Sequence, residues 1–312
     1  MTPRRTLLTG AGGFCGRAIA AALCARGDDV VATIRPGSSA AVQLPRGVEV
    51  VECELADPAA LRALVSRVRP SRCVHAAAAG ARARCDDIDL LLATNVRATA
   101  ALAEALADVG AARLVTLGSS SEYGSPAGAM TEAAAARPDD LYGVSKLAAG
   151  LAAHAIGRAR GLETVHLRLF SVYGPGEAPA RLIASLVRAL AARQPVPLTT
   201  GHQVRDFVYV ADAADAVLRA LSAPVEGGST FNVGSGRETS VREIALLACR
   251  VAGVDESLLR FGALPARGDE RRSWCANTRE AADVLGWRAR TPLAEGLRRT
   301  FAALGDELAM AA

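Results

Sequence analysis

Near the amino end, a short apolar run at Thr6 to Leu8 empties into Thr9-Gly10-Ala11-Gly12-Gly13-Phe14-Cys15-Gly16, and a helical pattern continues from Gly16 to Arg26. Glycines at 10, 13 and 16 stand three apart. Such spacing allows a tight turn, close approach of the backbone to a pyrophosphate, and close packing of the helix on the strand before it. The anion sits at the helix N-terminus, where the first N–H groups lack partners inside the helix. Gly10, Gly13, Phe14, Cys15 and Gly16 are therefore candidate cofactor contacts. A strand, a glycine turn and a helix in that order exclude an all-helical or all-strand fold for this half of the chain.

The same alternation continues. Strand patterns at Asp29 to Ile34, Cys73 to Ala77, Leu114 to Leu117 and Thr164 to Leu169 are interleaved with helical ones at Pro58 to Val68, Leu90 to Val109 and Tyr142 to Arg160. The spacing predicts an α/β protein with a doubly wound parallel sheet of Rossmann type. After the turn Tyr173-Gly174-Pro175-Gly176 the pattern loosens, with helices expected near Arg181 to Ala192, Asp212 to Leu221, Val241 to Ala252 and Leu293 to Leu304. The expected division is a dinucleotide-binding domain of residues 1–174 plus about 206–231. A smaller C-terminal α/β substrate lobe takes about 175–205 plus 232–312.

With 312 residues and 51% hydrophobic content, the chain is long and apolar enough for this core. The net charge of +4 comes from dispersed arginines and aromatics make up only 4%, which argues against nucleic acid as a partner. Seven scattered cysteines form no C-x-x-C pair and the four histidines are dispersed, so no metal site is expected. His75 reads as a satisfied core residue. The first apolar run is too short for a signal peptide or a membrane span, so the expectation is a cytoplasmic protein without a membrane partner.

Cofactor choice is read at the end of the second strand, Ile34-Arg35-Pro36-Gly37-Ser38. NAD readers place a carboxylate there for the ribose 2′-hydroxyl. Ile34 occupies that position, whereas Arg35 and Ser38 suit a 2′-phosphate, so NADP (NADPH) is expected, with NAD as the alternative.

Of the 36 basic side chains only Lys146 is a lysine. It falls one helical turn after Tyr142 in Tyr142-Gly143-Val144-Ser145-Lys146, which places phenol and ammonium on one helix face. A phenol exchanges protons poorly at neutral pH unless a cation steadies its phenolate. Upstream, the strand at Leu114 to Leu117 runs into Gly118-Ser119-Ser120-Ser121-Glu122-Tyr123-Gly124. Hydroxyls there face the crevice in which ligands of such sheets bind, and one can hydrogen-bond a carbonyl oxygen as charge develops on it.

Taken together these residues resemble the extended short-chain dehydrogenase/reductases, the family of nucleotide-sugar epimerases, dehydratases and ketoreductases. The marks are TGAGGFCG at 9–16, VHAAA at 74–78, Asn95, SSSEYG at 119–124, YGVSK at 142–146, RLFSVYGPGE at 168–177, RDFVYV at 205–210, FNVGSG at 231–236 and Leu285-Gly286-Trp287. Counting back five from Gly124, the resemblance makes Ser119 the catalytic hydroxyl, Tyr142 the acid/base, and Lys146 its partner and ribose ligand. It adds Glu54, Leu55, Ala76, Ala77 and Asn95 on the cofactor side. Ser120, Ser121, Ser171, Arg181, Arg205 and Arg267 fall on the side of a nucleotide-diphosphate sugar, the two last as diphosphate ligands.

Departures narrow the chemistry. Family dehydratases follow the catalytic hydroxyl with Asp-Glu, and Ser120-Ser121 cannot act as that acid and base. Ser171 replaces an Asn, and Glu54 an Asp that often meets adenine. Because a net reductase draws on NADPH, Arg35 favours an NADPH-dependent 4-ketoreductase of a nucleotide-linked 4-keto-6-deoxyhexose. The alternative is an NAD(P)-dependent nucleotide-sugar 4-epimerase, and a third possibility is a non-catalytic NADP-sensing binding protein. The resemblance also implies a homodimer through the helix after Asn95 and the one carrying Tyr142, where Leu147, Ala148, Leu151, Ala152 and Ala155 form a small apolar face.

Overall fold

The computed structural model describes residues 4–81, 85–125, 130–265 and 274–311. The first part runs β1 (Arg5–Thr9), α1 (Phe14–Ala25), β2 (Asp29–Ile34), β3 (Glu49–Glu52), α2 (Pro58–Val68), β4 (Arg72–His75), α3 (Ile88–Leu91), a π-helical segment Leu92–Arg97, α4 (Ala98–Asp108), β5 (Arg113–Ser119), α5 (Leu141–Arg160) and β6 (Glu163–Leu169). The second runs β7 (Ser171–Tyr173), α6 (Leu182–Ala191), β8 (Val196–Leu198), β9 (Val204–Arg205), β10 (Phe207–Tyr209), α7 (Val210–Ala220), β11 (Ser229–Val233), β12 (Thr239–Ser240), α8 (Val241–Ala252), β13 (Leu259–Phe261), α9 (Arg279–Val284) and α10 (Leu293–Ala311).

A seven-stranded sheet has the order β11-β6-β5-β4-β1-β2-β3, with every neighbouring pair parallel. The order reverses between β1 and β4, and the crevice at the carboxyl ends of those strands is where this architecture binds ligands. Strand alternation builds a core on each face. Leu8, Val30, Ala32, Val74 and Val115 pack with Ile19 and Leu23 of α1 and with Ala216, Val217 and Ala220 of α7. Their neighbours Leu7, Val31, Cys73 and Leu114 pack with Leu61 and Val65 of α2, Leu102 and Leu106 of α4, and Ala153 of α5. Each such Leu or Val contributes about 1.5–3 kcal/mol of burial free energy, so the sheet is a rigid platform for the crevice above it.

Local chemistry sets the helix ends. Asp57 and Asp140 cap α2 and α5, and Ser240 with Glu243 forms a capping box on α8. The first helix begins at Phe14 rather than Gly16, because Gly13 already serves as its N-cap. The edge strand β3 escapes the sequence pattern because three of its four residues are exposed. Ile88 to Asp108 is long and apolar enough to cross a membrane by composition, yet half of it is buried, with Leu91, Leu102 and Leu106 fully enclosed. It packs as a core helix against α2 and α5. All seven cysteines are unpaired.

Beyond the sheet, α6, α8 and α10 pack together beside two small ladders, β8 with β13 and β9 with β12. The lobe is tied back at α7. The buried Trp287 donates its ring N–H to the Asp212 carbonyl at 3.0 Å, and the Asp212 carboxylate accepts from the Arg290 and Thr291 amides. The seventh sheet strand, β11, runs to Val233, through the boundary expected near residue 231.

Candidate active site

The glycine loop is shaped by close approach. Gly10 has φ of +71°, and a Cβ there would lie 2.5 Å from the Ala77 nitrogen, so only glycine lets the turn touch the chain leaving β4. A Cβ on Gly16 would collide with the Gly10 carbonyl oxygen, which explains the close seat of α1. Gly13 donates its N–H to Gly10 at 3.0 Å and caps α1 with no side chain. The helix start thus presents main-chain N–H groups of Phe14 and Cys15 and no acidic residue in the first turn, a fit for a dinucleotide pyrophosphate. Arg17, which the sequence reading passed over, donates to the carbonyls of Gly12 at 3.1 Å and Gly176 at 2.9 Å and to Gln43 at 2.9 Å. It straps the glycine loop to the turn after β7.

At the end of β2, Ile34 is buried and Arg35 is exposed; its carbonyl accepts from the Ser38 amide at 3.1 Å, while its guanidinium has no hydrogen bond or ion pair among the described residues. Ser38 is half-buried, and the Gly37 amide donates to Glu52 at 3.2 Å, so this loop leans on the end of β3. Glu54 is exposed and accepts from the Ala56 amide within its own turn, while Leu55 is buried. Ala76 and Ala77 border the glycine loop. Asn95 was expected to touch cofactor. Its buried amide exchanges hydrogen bonds with the Ala79 main chain at 2.8 and 3.1 Å and donates to Ser145 at 2.9 Å, which fixes the loop after β4 against α5.

Ser119, Tyr142 and Lys146 converge at the end of β5. Gly143 allows this, since a Cβ there would stand 2.5 Å from the Ser121 carbonyl oxygen. Tyr142 is hydrogen-bonded to Ser119. Its phenol is pushed well above the ordinary range by burial, with Cys15 and Glu122 adding and Arg181 and the Ser119 hydrogen bond opposing. The sequence led us to expect a lowered phenol; in the protein alone, desolvation outweighs its stabilising neighbours. Lys146 is 5% exposed, and burial pulls its ammonium down to about 8, opposed by Glu122. Deep burial of a lone amine is consistent with a lysine being kept where arginine, which holds its proton, would not serve.

Beneath this trio lies a buried charge network. Glu122 is fully enclosed and accepts from the Ser119 amide at 2.8 Å, from His166 Nε2 at 2.9 Å and from Arg168 Nε at 2.8 Å. A carboxylate can only accept, so Nε2 of His166 carries the proton and Nδ1 takes the Thr116 hydroxyl at 2.7 Å. Against the cost of burial, His166 and Arg168 hold the Glu122 carboxyl down to about 2. His75, expected to be a satisfied core residue, is only half satisfied. Its Nδ1 meets Thr9 at 2.6 Å and its buried Nε2 has no partner. Burial and then Lys146 push this imidazole down to about 3.

On the substrate side the expected residues are more scattered. Ser120 is buried and Ser121 half-buried, with Ser121 donating its amide to the Ser119 hydroxyl at 3.1 Å. The Ser171 amide donates to the Asp206 carbonyl, joining β7 to the segment before β10. Arg181 stands at the N-cap position of α6 without a side-chain capping bond, and its guanidinium pairs with buried Glu177 at 3.4 Å. Burial lifts the Glu177 carboxyl to about 7 against the pull of Arg181. Arg205 stacks over the Trp274 ring at 5.4 Å. Arg267 lies outside the described residues.

The glycine loop at the start of α1 and the Ser/Tyr/Lys trio at the end of β5, two strands along the sheet from β1, make up the candidate site. The family model of the NAD dependent epimerase/dehydratase family matches residues 6–234. The chain belongs to this family. The UDP-glucose 4-epimerase of Mycolicibacterium smegmatis is 35% identical over 309 residues, covering 95% of this chain and 97% of its own length. The dTDP-6-deoxy-L-talose 4-dehydrogenase (NAD(P)(+)) of Kitasatospora kifunensis is 33% identical over 320 residues, 96% of each chain. Among solved structures, MoeE5 in complex with UDP-glucose and NAD matches with a TM-score of 0.86 at 35% identity, over 97% of this chain and 99% of that one. This member of the epimerase/dehydratase family is an NAD(P)-dependent, nucleotide-sugar-modifying enzyme of the extended short-chain dehydrogenase/reductase type.

Within the family site, sequence reasoning missed Arg17, Glu122, His166 and Glu177. Glu122 stood inside a quoted motif, but its partners are on β6, more than forty residues away, and no spacing rule connects them.

Proposed function

We propose that the protein is a nucleotide-sugar 4-epimerase that retains its nicotinamide cofactor through the catalytic cycle. The supporting observation is that the Ser119, Tyr142 and Lys146 site lies in a chain similar over nearly its whole length to a UDP-glucose 4-epimerase. This reverses the order set by sequence, in which net reduction stood first. When bound, the nicotinamide supplies reversible hydride exchange at the sugar C4. Tyr142 takes the proton of the C4 hydroxyl and, once the keto sugar has turned its other face toward the hydride donor, returns a proton to the same oxygen. Ser119 orients the oxygen, and the Lys146 ammonium favours the phenolate form. Gly10, Gly13, Phe14, Cys15 and Gly16 would hold the pyrophosphate, and the Arg17 strap suits a cofactor that stays in place. Arg181, Arg205 and Arg267 would bind the sugar diphosphate, with residues 175–205 and 232–312 serving as the substrate lobe.

The test is incubation of the purified protein with UDP-glucose and, separately, UDP-galactose, without added cofactor. Interconversion with no net change in nicotinamide absorbance supports the reading. Stoichiometric consumption of added NADPH with a 4-keto-6-deoxy sugar nucleotide, and no interconversion, removes it. That second outcome is the 4-ketoreductase reading, which the unpaired Arg35 beside Ile34 favours. The same reading places the enzyme in the cytoplasm, in keeping with its unpaired cysteines. It also makes the enzyme a homodimer, because Leu90, Leu92, Val144 and Leu151 are exposed apolar residues on neighbouring helical segments.

A further inference from the structure

Glu122 is a carboxylate buried completely within the turn that carries Ser119, and it accepts from the Ser119 amide, His166 and Arg168. The surrounding chain is cut to fit it. A Cβ on Gly118 would collide with His166 and stand 2.5 Å from Glu122 Oε1, and a Cβ on Gly150 would stand 2.8 Å from the His166 ring. Burying a carboxylate, an imidazole and a guanidinium together is costly and is weak evidence for stability alone, since apolar side chains of similar volume often serve as well. The geometry is directional instead. One oxygen of Glu122 holds the Ser119 amide, while the Ser119 hydroxyl closes the reciprocal capping bond.

We propose that Glu122 is a positioning residue: through the Ser119 amide it sets the catalytic hydroxyl, and as a buried anion in the turn on which the start of α5 packs it supplies the negative charge that faces buried Lys146. This rests on the reading of Ser119, Tyr142 and Lys146 as the catalytic set. Glu122 faces His166 and Arg168 from β6. Lys146 is faced by His75 from β4 and by Glu122, and Tyr142 by Cys15 of α1, by Arg181 and by Glu122. Glu122 raises the proton affinity of both Tyr142 and Lys146, so its removal lowers both.

Lys146 is the sole lysine, so growth on [13C]lysine gives the full-length protein a single side-chain signal whose pH titration reads this ammonium directly. In the wild type the midpoint is expected near about 8. Glu122→Gln lowers it by about one pH unit. A midpoint that stays within about 0.2 units of wild type overturns the electrostatic half of the proposal. Glu122→Asp keeps the charge but is too short to span the Ser119 amide and both partners. It should fold, leave the Lys146 midpoint in place, and lower kcat about tenfold with KM within about twofold. An unchanged kcat in Glu122→Asp overturns the positioning half. A wild-type protein that turns over no nucleotide sugar would sink the catalytic reading instead, and the Lys146 titration, which needs no substrate, would still decide this one.

Discussion

Two rims of the same crevice are built on opposite terms. Around the end of β5, Glu122 accepts from the Ser119 amide, His166 and Arg168 at 2.8 to 2.9 Å, and burial moves both Tyr142 and Lys146 off their ordinary values. After β2 and β3, Arg35 and Glu54 stand in solvent, and the Glu54 carboxylate is held only by its own turn. In the buried rim every group depends on its neighbours, so single losses propagate. At the exposed rim a residue acts alone, through whatever ligand it meets. On the proposed reading, reaction type belongs to the deep rim, and cofactor preference to the exposed loop after β2.

The sharpest way to break this contrast is Tyr142→Phe. It removes the proton-exchanging oxygen and leaves the ring in place, so kcat should fall by about 10³-fold while cofactor affinity stays within about twofold. A loss of tenfold or less would mean that the buried rim is not where the chemistry is done. Lys146→Met comes next, with a loss of about 10²-fold. Its stability effect runs the other way. The folded ammonium is pulled down to about 8 while the unfolded one keeps its proton to about 10.4, so below pH 8 both states are protonated and the fold bears the full burial cost. Across the window from 8 to 10.4 the unfolded state binds more protons, so this group's contribution to stability rises with pH. Lys146→Met should melt above wild type at neutral pH, by up to about 3 kcal/mol, with the advantage shrinking as pH rises through that window. The kcat of wild type is expected to decline above about pH 8 as Lys146 loses its proton, and the variant's profile should lack that decline.

Ser119→Ala tests the same rim more gently. The hydroxyl accepts the Ser121 amide and is hydrogen-bonded to Tyr142, so its loss should lower kcat by about tenfold to a hundredfold and leave one turn amide unsatisfied, at about 1 kcal/mol in stability. Steady-state kinetics and thermal melts on one preparation separate the two effects.

How far the sequence could be read follows the same divide. The parallel sheet, the glycine turn and the Tyr142/Lys146 pair are written in local spacing: strand alternation, glycines three apart, a helical turn between phenol and ammonium. The substrate side was legible only through resemblance, because Arg181, Arg205 and Ser171 come from separate segments with no shared periodicity. Asn95 shows the limit of motif reading. Its position could be read from the motif, but the bonds of its amide to Ala79 and Ser145, which hold the loop after β4 against α5, could not. The Glu122 network was invisible for a different reason, since a buried carboxylate is recognised only once its partners on β6 are placed beside it. The raised phenol likewise depends on burial, which no spacing rule reports.

The smallest effect should come from Arg35→Ala at the exposed rim. The guanidinium follows buried Ile34 and has no protein partner among the described residues, so its removal disturbs nothing that holds the fold and the melting temperature should not move. If it binds a 2′-phosphate, the loss is one charge-assisted contact in partial solvent, about 1.5 kcal/mol, or roughly tenfold in affinity for NADP(H) with NAD(H) unchanged. Because the site is open, raising ionic strength should shrink the difference between wild type and variant. Equal binding of both dinucleotides by wild type and variant would assign Arg35 no part in cofactor choice. It would also remove the observation that favours net reduction, leaving the 4-epimerase reading without its competitor.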